Sequence, residues 1–244
     1  LTYYMSNLIQ KIGVIGLGYV GLPLAVSFSK KNYVIGYDIS KNRVEDLKNG
    51  YDSTLMLSDE ELTNNNIEYT TLENRLADCN IFIITVPTPI DEHNNPDLSF
   101  IINASELVKN YLKKGDIFIL ESTVYPGTTE EVCVPILEST GLKFNIDFFC
   151  GFFPERINPG DAAKKISDIK KIVSGSNEPT LKVLEKLYGS IIDAGIHSAS
   201  SIKVAEAAKV IENTQRDINI ALVNELSKIF DILDINTHEV IDAA

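Results

Sequence analysis

Three glycines set the first chemical expectation. Gly16, Gly18 and Gly21 stand at the spacing G-x-G-x-x-G, directly after an apolar run at 11–15 and directly before a second at 22–26. That spacing suits a pyrophosphate. One glycine makes a tight turn, one lets the backbone approach phosphate oxygens, and one lets the following helix pack on the strand. The helix then offers its first N–H groups and a positive dipole end to the anion. The next apolar run, 33–37, ends in Asp38. A carboxylate about 20 residues after such a turn takes the ribose hydroxyls of a dinucleotide. A 2′-phosphate would be repelled there, so the pattern predicts NAD rather than NADP.

Three further groups carry reactive side chains. In Glu121-Ser-Thr-Val-Tyr-Pro-Gly127, hydroxyls and amides would hold a phosphate, a nicotinamide or a catalytic water; the alternative is an ordinary Pro-Gly turn between strand and helix. In Pro154-Glu-Arg-Ile-Asn-Pro-Gly160, Glu155 follows an apolar strand, where partial burial would raise its pKa and make it a proton acceptor. Arg156 beside it would grip a sugar or a phosphate, or the two form a surface ion pair. Lys209, Asn213 and Arg216, spaced by four and three, share one helix face. Such a stripe would stabilise a developing oxyanion and hold a substrate, or be a solvated polar face. His93, His197 and His238 have no metal-ligand spacing, so no metal is expected. Cys79, Cys133 and Cys150 are scattered in apolar settings with no C-x-x-C, which predicts small buried hydrophobes in a reducing, cytoplasmic setting.

The elements that position these groups alternate. Strands are expected at 11–15, 33–37, 81–86, 117–121, 147–153 and 171–174. Helices are expected after the glycine turn, at 41–48 behind the cap Ser40, at a Ser58–Glu61 capping box, and near 99–112, 129–138 and 179–190. The pattern predicts an α/β fold, a Rossmann-type doubly wound parallel sheet, over residues 1–199. Ligands bind such sheets at the carboxyl ends of the strands, so 16–21, Asp38, Thr88, 122–127 and Glu155 are expected along one crevice. From Ser200 to about Leu233 there is neither Gly nor Pro. A helix of that length runs on the order of 45 Å. It reads as a long connecting helix opening a second, helical domain over 200–244, broken off inside a further helix that begins at Asn236.

The 244 residues are 44% hydrophobic and carry a net charge of −12, which argues against nucleic acid and anionic membrane surfaces as partners. No apolar run reaches the ~18 residues of a membrane span, and no signal-peptide pattern opens the chain.

Together these motifs resemble the UDP-glucose/GDP-mannose dehydrogenase family. The resemblance rests on Gly16-Leu-Gly-Tyr-Val-Gly-Leu-Pro23, Val86-Pro-Thr-Pro89, the Glu121 and Pro154 motifs, and Ala205-Glu-Ala-Ala-Lys-Val-Ile-Glu-Asn213. Within the family, the Pro154 motif and Glu212-Asn-Thr-Gln-Arg-Asp217 look most like UDP-N-acetylhexosamine 6-dehydrogenases, which act in surface polysaccharide synthesis. The resemblance implies oxidation of the C6 primary alcohol of a UDP-sugar to a carboxylate, with two hydrides passing to NAD. It implies NAD contacts at the glycine turn with Tyr19 and Val20, and at Asp38, Arg43, Pro87, Thr88 and Thr123. It implies sugar-nucleotide contacts at Arg156, Ile157, Lys209, Asn213 and Arg216. Glu155 resembles the general acid/base, Lys209 and Asn213 the pair holding the alcohol oxygen, and Thr123 the ligand of a catalytic water. The family's nucleophilic cysteine, in a G-G-H-C loop beyond the long helix, has no counterpart here, nor does the domain that clamps UDP. The expected object is the N-terminal part of the enzyme, dimerising through the long helix. The readings left beside it are an inactive NAD-binding dimerisation module and a dehydrogenase of the hydroxyacid or 6-phosphogluconate type.

Overall fold

The computed structural model describes residues 10–63, 66–154 and 170–244. They fall into two compact units that divide between Glu206 and Ala207.

The first unit is built on an eight-stranded sheet. Its strands are β1 (Lys11–Ile15), β2 (Tyr33–Tyr37), β3 (Ile67–Thr70), β4 (Ile81–Ile84), β5 (Ile117–Leu120), β6 (Phe149–Phe152), β7 (Lys171–Gly175) and β8 (Ile196–Ser198), in spatial order β3-β2-β1-β4-β5-β6-β7-β8. Ile-Phe-Ile-Ile in β4 and Ile-Phe-Ile-Leu in β5 are fully buried, as befits strands of a parallel sheet covered on both faces. The register runs Ile12 to Ile81 and Ile81 to Ile117, so the aliphatic rows align across the centre.

Helices α1 (Gly21–Ser29), α2 (Lys41–Lys48), α3 (Asp59–Thr63), α4 (Ser99–Lys109), α5 (Val134–Glu138) and α6 (Glu178–Gly189) connect them. Local signals fix several ends. The Ser40 side chain accepts the Arg43 N–H and caps α2. Ser58 and Glu61 exchange side chain and backbone as a capping box opening α3. The Asn177 side chain accepts the Thr180 N–H and caps α6.

The sheet departs from the expected pattern in direction. β1 to β6 are parallel, but β7 runs antiparallel to β6, with Gly151 opposite Gly175 and Phe152 opposite Ser174. An apolar run of four residues encodes burial, not direction. β3 is too short and mixed to be read from sequence. The expected helix over 129–138 opens as a π-helical turn, Thr129–Cys133, before α5. Pro135 has no N–H to give to a regular helical ladder, and the wider turn accommodates the gap.

The long helix is α7 (Ile202–Ile232), and the boundary between the units falls within it. A last helix, α8 (Thr237–Ala243), is capped by the Asn236 side chain, which accepts the His238 and Glu239 N–H groups.

Candidate functional site

The parallel topology brings the ends of β1, β2, β4 and β5 to one edge, and with them the glycine turn, Asp38, Thr88 and Thr123.

The turn has a distinct reason for each glycine. Gly16 has φ +96°, in the left-handed region. A Cβ on Gly21 would lie 1.9 Å from the Gly16 carbonyl oxygen and 2.4 Å from Thr85 Oγ1. A Cβ on Gly18 would meet nothing within 4 Å. The protein itself therefore does not require glycine at 18; the open space above it fits a close-approaching ligand. No side chain caps α1 at Val20; the Leu22 N–H donates to the Gly18 carbonyl at 3.2 Å and Pro23 has none, so the Gly21 N–H and the positive dipole end are what the helix offers an anion. Tyr19 is exposed beside them and Val20 half-buried.

Asp38 closes this corner. Its Oδ2 accepts the Leu17 N–H at 2.8 Å and its Oδ1 accepts the Ser40 N–H at 2.8 Å. Each oxygen keeps a further lone pair for a ribose hydroxyl. Arg43 comes to the same place from α2: its Nε donates to the Leu17 carbonyl at 2.8 Å, and its Nη1 pairs with Asp52 Oδ1 at 2.8 Å. The Leu17 peptide is thus held on both sides. These features together fit a dinucleotide.

The ends of β4 and β5 are tied to each other. Ser122 Oγ donates to the Val86 carbonyl at 2.6 Å and Thr88 Oγ1 donates to the Thr123 carbonyl at 2.8 Å. Thr123 and Pro87 are exposed at this edge. The loop beyond is held by Glu206, fully buried, whose carboxylate accepts the N–H of Gly127 at 2.5 Å, the N–H of Thr129 at 3.0 Å and the Thr129 hydroxyl at 2.7 Å. Glu121, at the end of β5, accepts a short hydrogen bond from the Tyr188 hydroxyl. The Tyr188 ring stacks on Phe153 at 3.6 Å between centroids.

Glu155, Arg156 and Ile157 lie outside the described residues. Lys171 was not among the expected site residues. It is fully buried, and because β7 is antiparallel its first residue lies at the edge where the parallel strands end. Knowing the strand direction would have pointed to it.

Within α7, Lys209 is buried, while Asn213 and Arg216 are exposed. Glu212 lies between the two cations, 2.6 Å from Arg216 and 3.7 Å from Lys209. The two cations of the stripe are therefore linked through one carboxylate, placed at i+3 from one base and i−4 from the other.

Desolvation pushes the Cys79 thiol up to about 12 and the Cys133 thiol up to about 11, and raises that of Cys150 well above its ordinary value. All three are buried and unpaired, so none is poised as a nucleophile. Among the described residues, no group of three or more His, Cys, Asp or Glu is placed to hold a metal, and no helix is long and apolar enough to cross a membrane.

The NAD binding domain of the UDP-glucose/GDP-mannose dehydrogenase family matches residues 10–192. The chain belongs to that family. The family's central domain matches residues 203–244. A UDP-N-acetyl-D-glucosamine 6-dehydrogenase from Pseudomonas aeruginosa is 57% identical over 96% of this chain, and one from Salmonella typhi is 54% identical over the same share. The solved structure of a UDP-D-ManNAc dehydrogenase from Pyrococcus horikoshii superposes with a TM-score of 0.88 at 35% identity, over 96% of this chain and 57% of its own. The chain spans about half the length of the curated relatives it matches, 56% in both cases.

Proposed function

We propose that the chain forms the cofactor-binding part of an NAD-dependent UDP-N-acetylhexosamine 6-dehydrogenase that oxidises the C6 alcohol to the uronic acid for surface polysaccharide. The observation that carries this reading is the Leu17 backbone clamped between Asp38 and Arg43 below an open Gly18, in a chain 57% identical to a UDP-N-acetyl-D-glucosamine 6-dehydrogenase.

NAD supplies the hydride acceptor. Gly18, Tyr19, Val20 and Gly21 face its pyrophosphate with their backbone, while Gly16, whose N–H donates to the Tyr37 carbonyl at 2.9 Å, makes the turn that lets it approach. Asp38 takes the ribose hydroxyls, with Arg43 fixing the turn beneath. Pro87, Thr88 and Thr123 wall the nicotinamide end, where Thr123 orients a water. Exposed Ile39 beside Asp38 offers an apolar face to the adenine. Glu155 moves the proton of the alcohol. Lys209 and Asn213 hold the alcohol oxygen, where an ammonium and an amide stabilise the charge that develops as the proton leaves. Arg156, Ile157 and Arg216 bind the sugar nucleotide. The 1–199 and 200–244 division serves these two tasks, cofactor binding and substrate gripping with dimerisation.

A homodimer belongs to the same proposal. Ile211, Ile218, Leu222, Ile229 and Leu233, all more than half exposed, recur at spacings of seven, four, seven and four on α7 and just beyond it. They form one apolar stripe, of the kind that marks an interface. Sedimentation should give a dimer; a monomer at all concentrations would overturn this part. Three unpaired cysteines support a reducing, cytoplasmic setting.

The activity test uses the full-length protein with a panel of UDP-sugars, following NADH. Turnover of UDP-N-acetylhexosamines with NAD above UDP-glucose, and little with NADP, is expected. Turnover of hydroxyacids instead would replace the reading.

A further inference from the structure

Asp52 enters the site only as the partner of Arg43, yet its carboxylate gathers five donors. Oδ1 accepts the Thr54 N–H at 2.9 Å, the Thr54 hydroxyl at 2.6 Å and Arg43 Nη1 at 2.8 Å; Oδ2 accepts the Met56 N–H at 2.9 Å and the Leu57 N–H at 3.2 Å. Its side chain is 1% exposed and that of Arg43 10%. Burial pushes the Asp52 carboxyl up, but the bonds from Thr54 and Arg43 outweigh it and hold the group below its ordinary value. Leu55, inside the loop so gathered, has φ +54°, a left-handed conformation that leucine adopts only under constraint.

We infer that Asp52 is a positioning residue for dinucleotide binding, which acts through Arg43 on the carbonyl of Leu17 and so on the shape of the glycine turn. This rests on the proposal that NAD lies along that turn. Leu17 is flanked by Gly16 and Gly18, which have no side chains to anchor the backbone. Its N–H is held by Asp38 and its carbonyl by Arg43 Nε. Arg43 can hold that carbonyl only while its guanidinium plane is fixed, and the groups that fix it are Asp52 and Ser53 Oγ, both at Nη1. The remaining nitrogen, Nη2, is buried with no acceptor. A guanidinium already short of one partner would swing to water if it lost Asp52, because a buried unsatisfied donor is costly and a charged one more so. Loop 52–57 thus reaches the phosphate cradle through a chain of two side chains, without touching the ligand.

The test is a double-mutant cycle on the full chain, reading the Kd for NAD, the thermal midpoint and, in the active enzyme, KM for NAD against kcat. Asp52→Asn should weaken NAD about fivefold to tenfold, the net scale of one ordinary hydrogen bond, since the effect reaches the ligand only through Arg43, raising KM and sparing kcat. In an Arg43→Met background the same change should alter Kd less than about twofold, because the path is already cut. Ser53→Ala, which removes the weaker support and leaves the Asp52 loop intact, should cost about twofold alone and nothing beside Arg43→Met. Should Asp52→Asn fail to fold, the Ser53 cycle decides alone. Equal losses in both backgrounds, or a lower midpoint with Kd unmoved, would mean that Asp52 only holds its own loop and would overturn the inference. If Arg43→Met itself leaves Kd unchanged, the placement of NAD beside Arg43 fails and the inference with it. If Arg43→Met weakens binding and Asp52→Asn does not, only the inference fails.

Discussion

The Gly16 carbonyl oxygen occupies the space in which a Gly21 side chain would begin, 1.9 Å from an ideal Cβ. Gly21→Ala must therefore push the turn off β1, and the loss should be about 1–3 kcal/mol or more, the scale of overpacking against backbone. Gly18→Ala meets no protein atom within 4 Å. It should keep the wild-type melting midpoint and lose NAD affinity, because its methyl occupies the approach left for phosphate. Melting curves and NAD titrations of the two variants check the pair. A Gly18→Ala protein that binds NAD normally would show that the pyrophosphate lies elsewhere.

The three thiols make a second test. With burial raising all of them, a disulfide reagent at pH 8 should modify the native chain at least about 100-fold more slowly than free cysteine. Unfolding in denaturant should release all three cysteines of the chain. Rapid labelling of one equivalent in the native state would contradict the packing around Cys79, Cys133 or Cys150.

Asp116 gives a pH dependence. Burial raises its carboxyl from 3.8 to about 7, against the opposing Lys113 N–H bond at 2.8 Å. The folded chain therefore holds a proton that the unfolded chain releases. The resulting stability is complete below about pH 4 and is lost as pH rises through about 7. Asp116→Asn keeps an oxygen for Lys113 and removes the titration. It should match wild type near pH 4 and exceed it by roughly 1–3 kcal/mol at pH 8, seen as a gap in melting midpoint that opens with pH. A constant gap would show that the group does not titrate in this range.

Local signals were legible because they act over a few residues. The G-x-G-x-x-G spacing, the Ser40 cap on α2 and the Ser58–Glu61 box each need only their own neighbours. Asp38 was legible because its distance from the turn is set by one strand–helix–strand unit. What escaped reading depends on partners far along the chain. Arg43 finds Leu17 across 26 residues, and Glu206 finds Gly127 across 79; no spacing rule ties such pairs. The direction of β7 also escaped, since Lys171-Ile-Val-Ser174 would be buried equally well either way. That one unread choice moves a buried lysine to the edge where the site is expected.

Glu206 shows how much the hidden partners matter. Its carboxylate accepts three donors from Gly127 and Thr129, and it is 0% exposed. Those donors open the π-helical turn that follows the Thr123 loop. In Glu206→Gln one oxygen becomes an NH2 group, which must face an N–H or a hydroxyl. The variant loses one or two bonds and leaves buried donors opposed, for which about 2–4 kcal/mol is expected. Glu206→Asp keeps the charge but is one methylene short, so it should recover part of that loss. If Thr123 is placed through this loop, NAD affinity should fall in step with stability at the Glu206 variants. By contrast, Lys203→Ala removes an exposed pair with Glu131 at 2.7 Å and should leave both the melting midpoint and the NAD affinity at their wild-type values, because solvent screens such a pair. Equal effects from Glu206→Gln and Lys203→Ala would show that the Gly127 and Thr129 contacts contribute nothing to the loop.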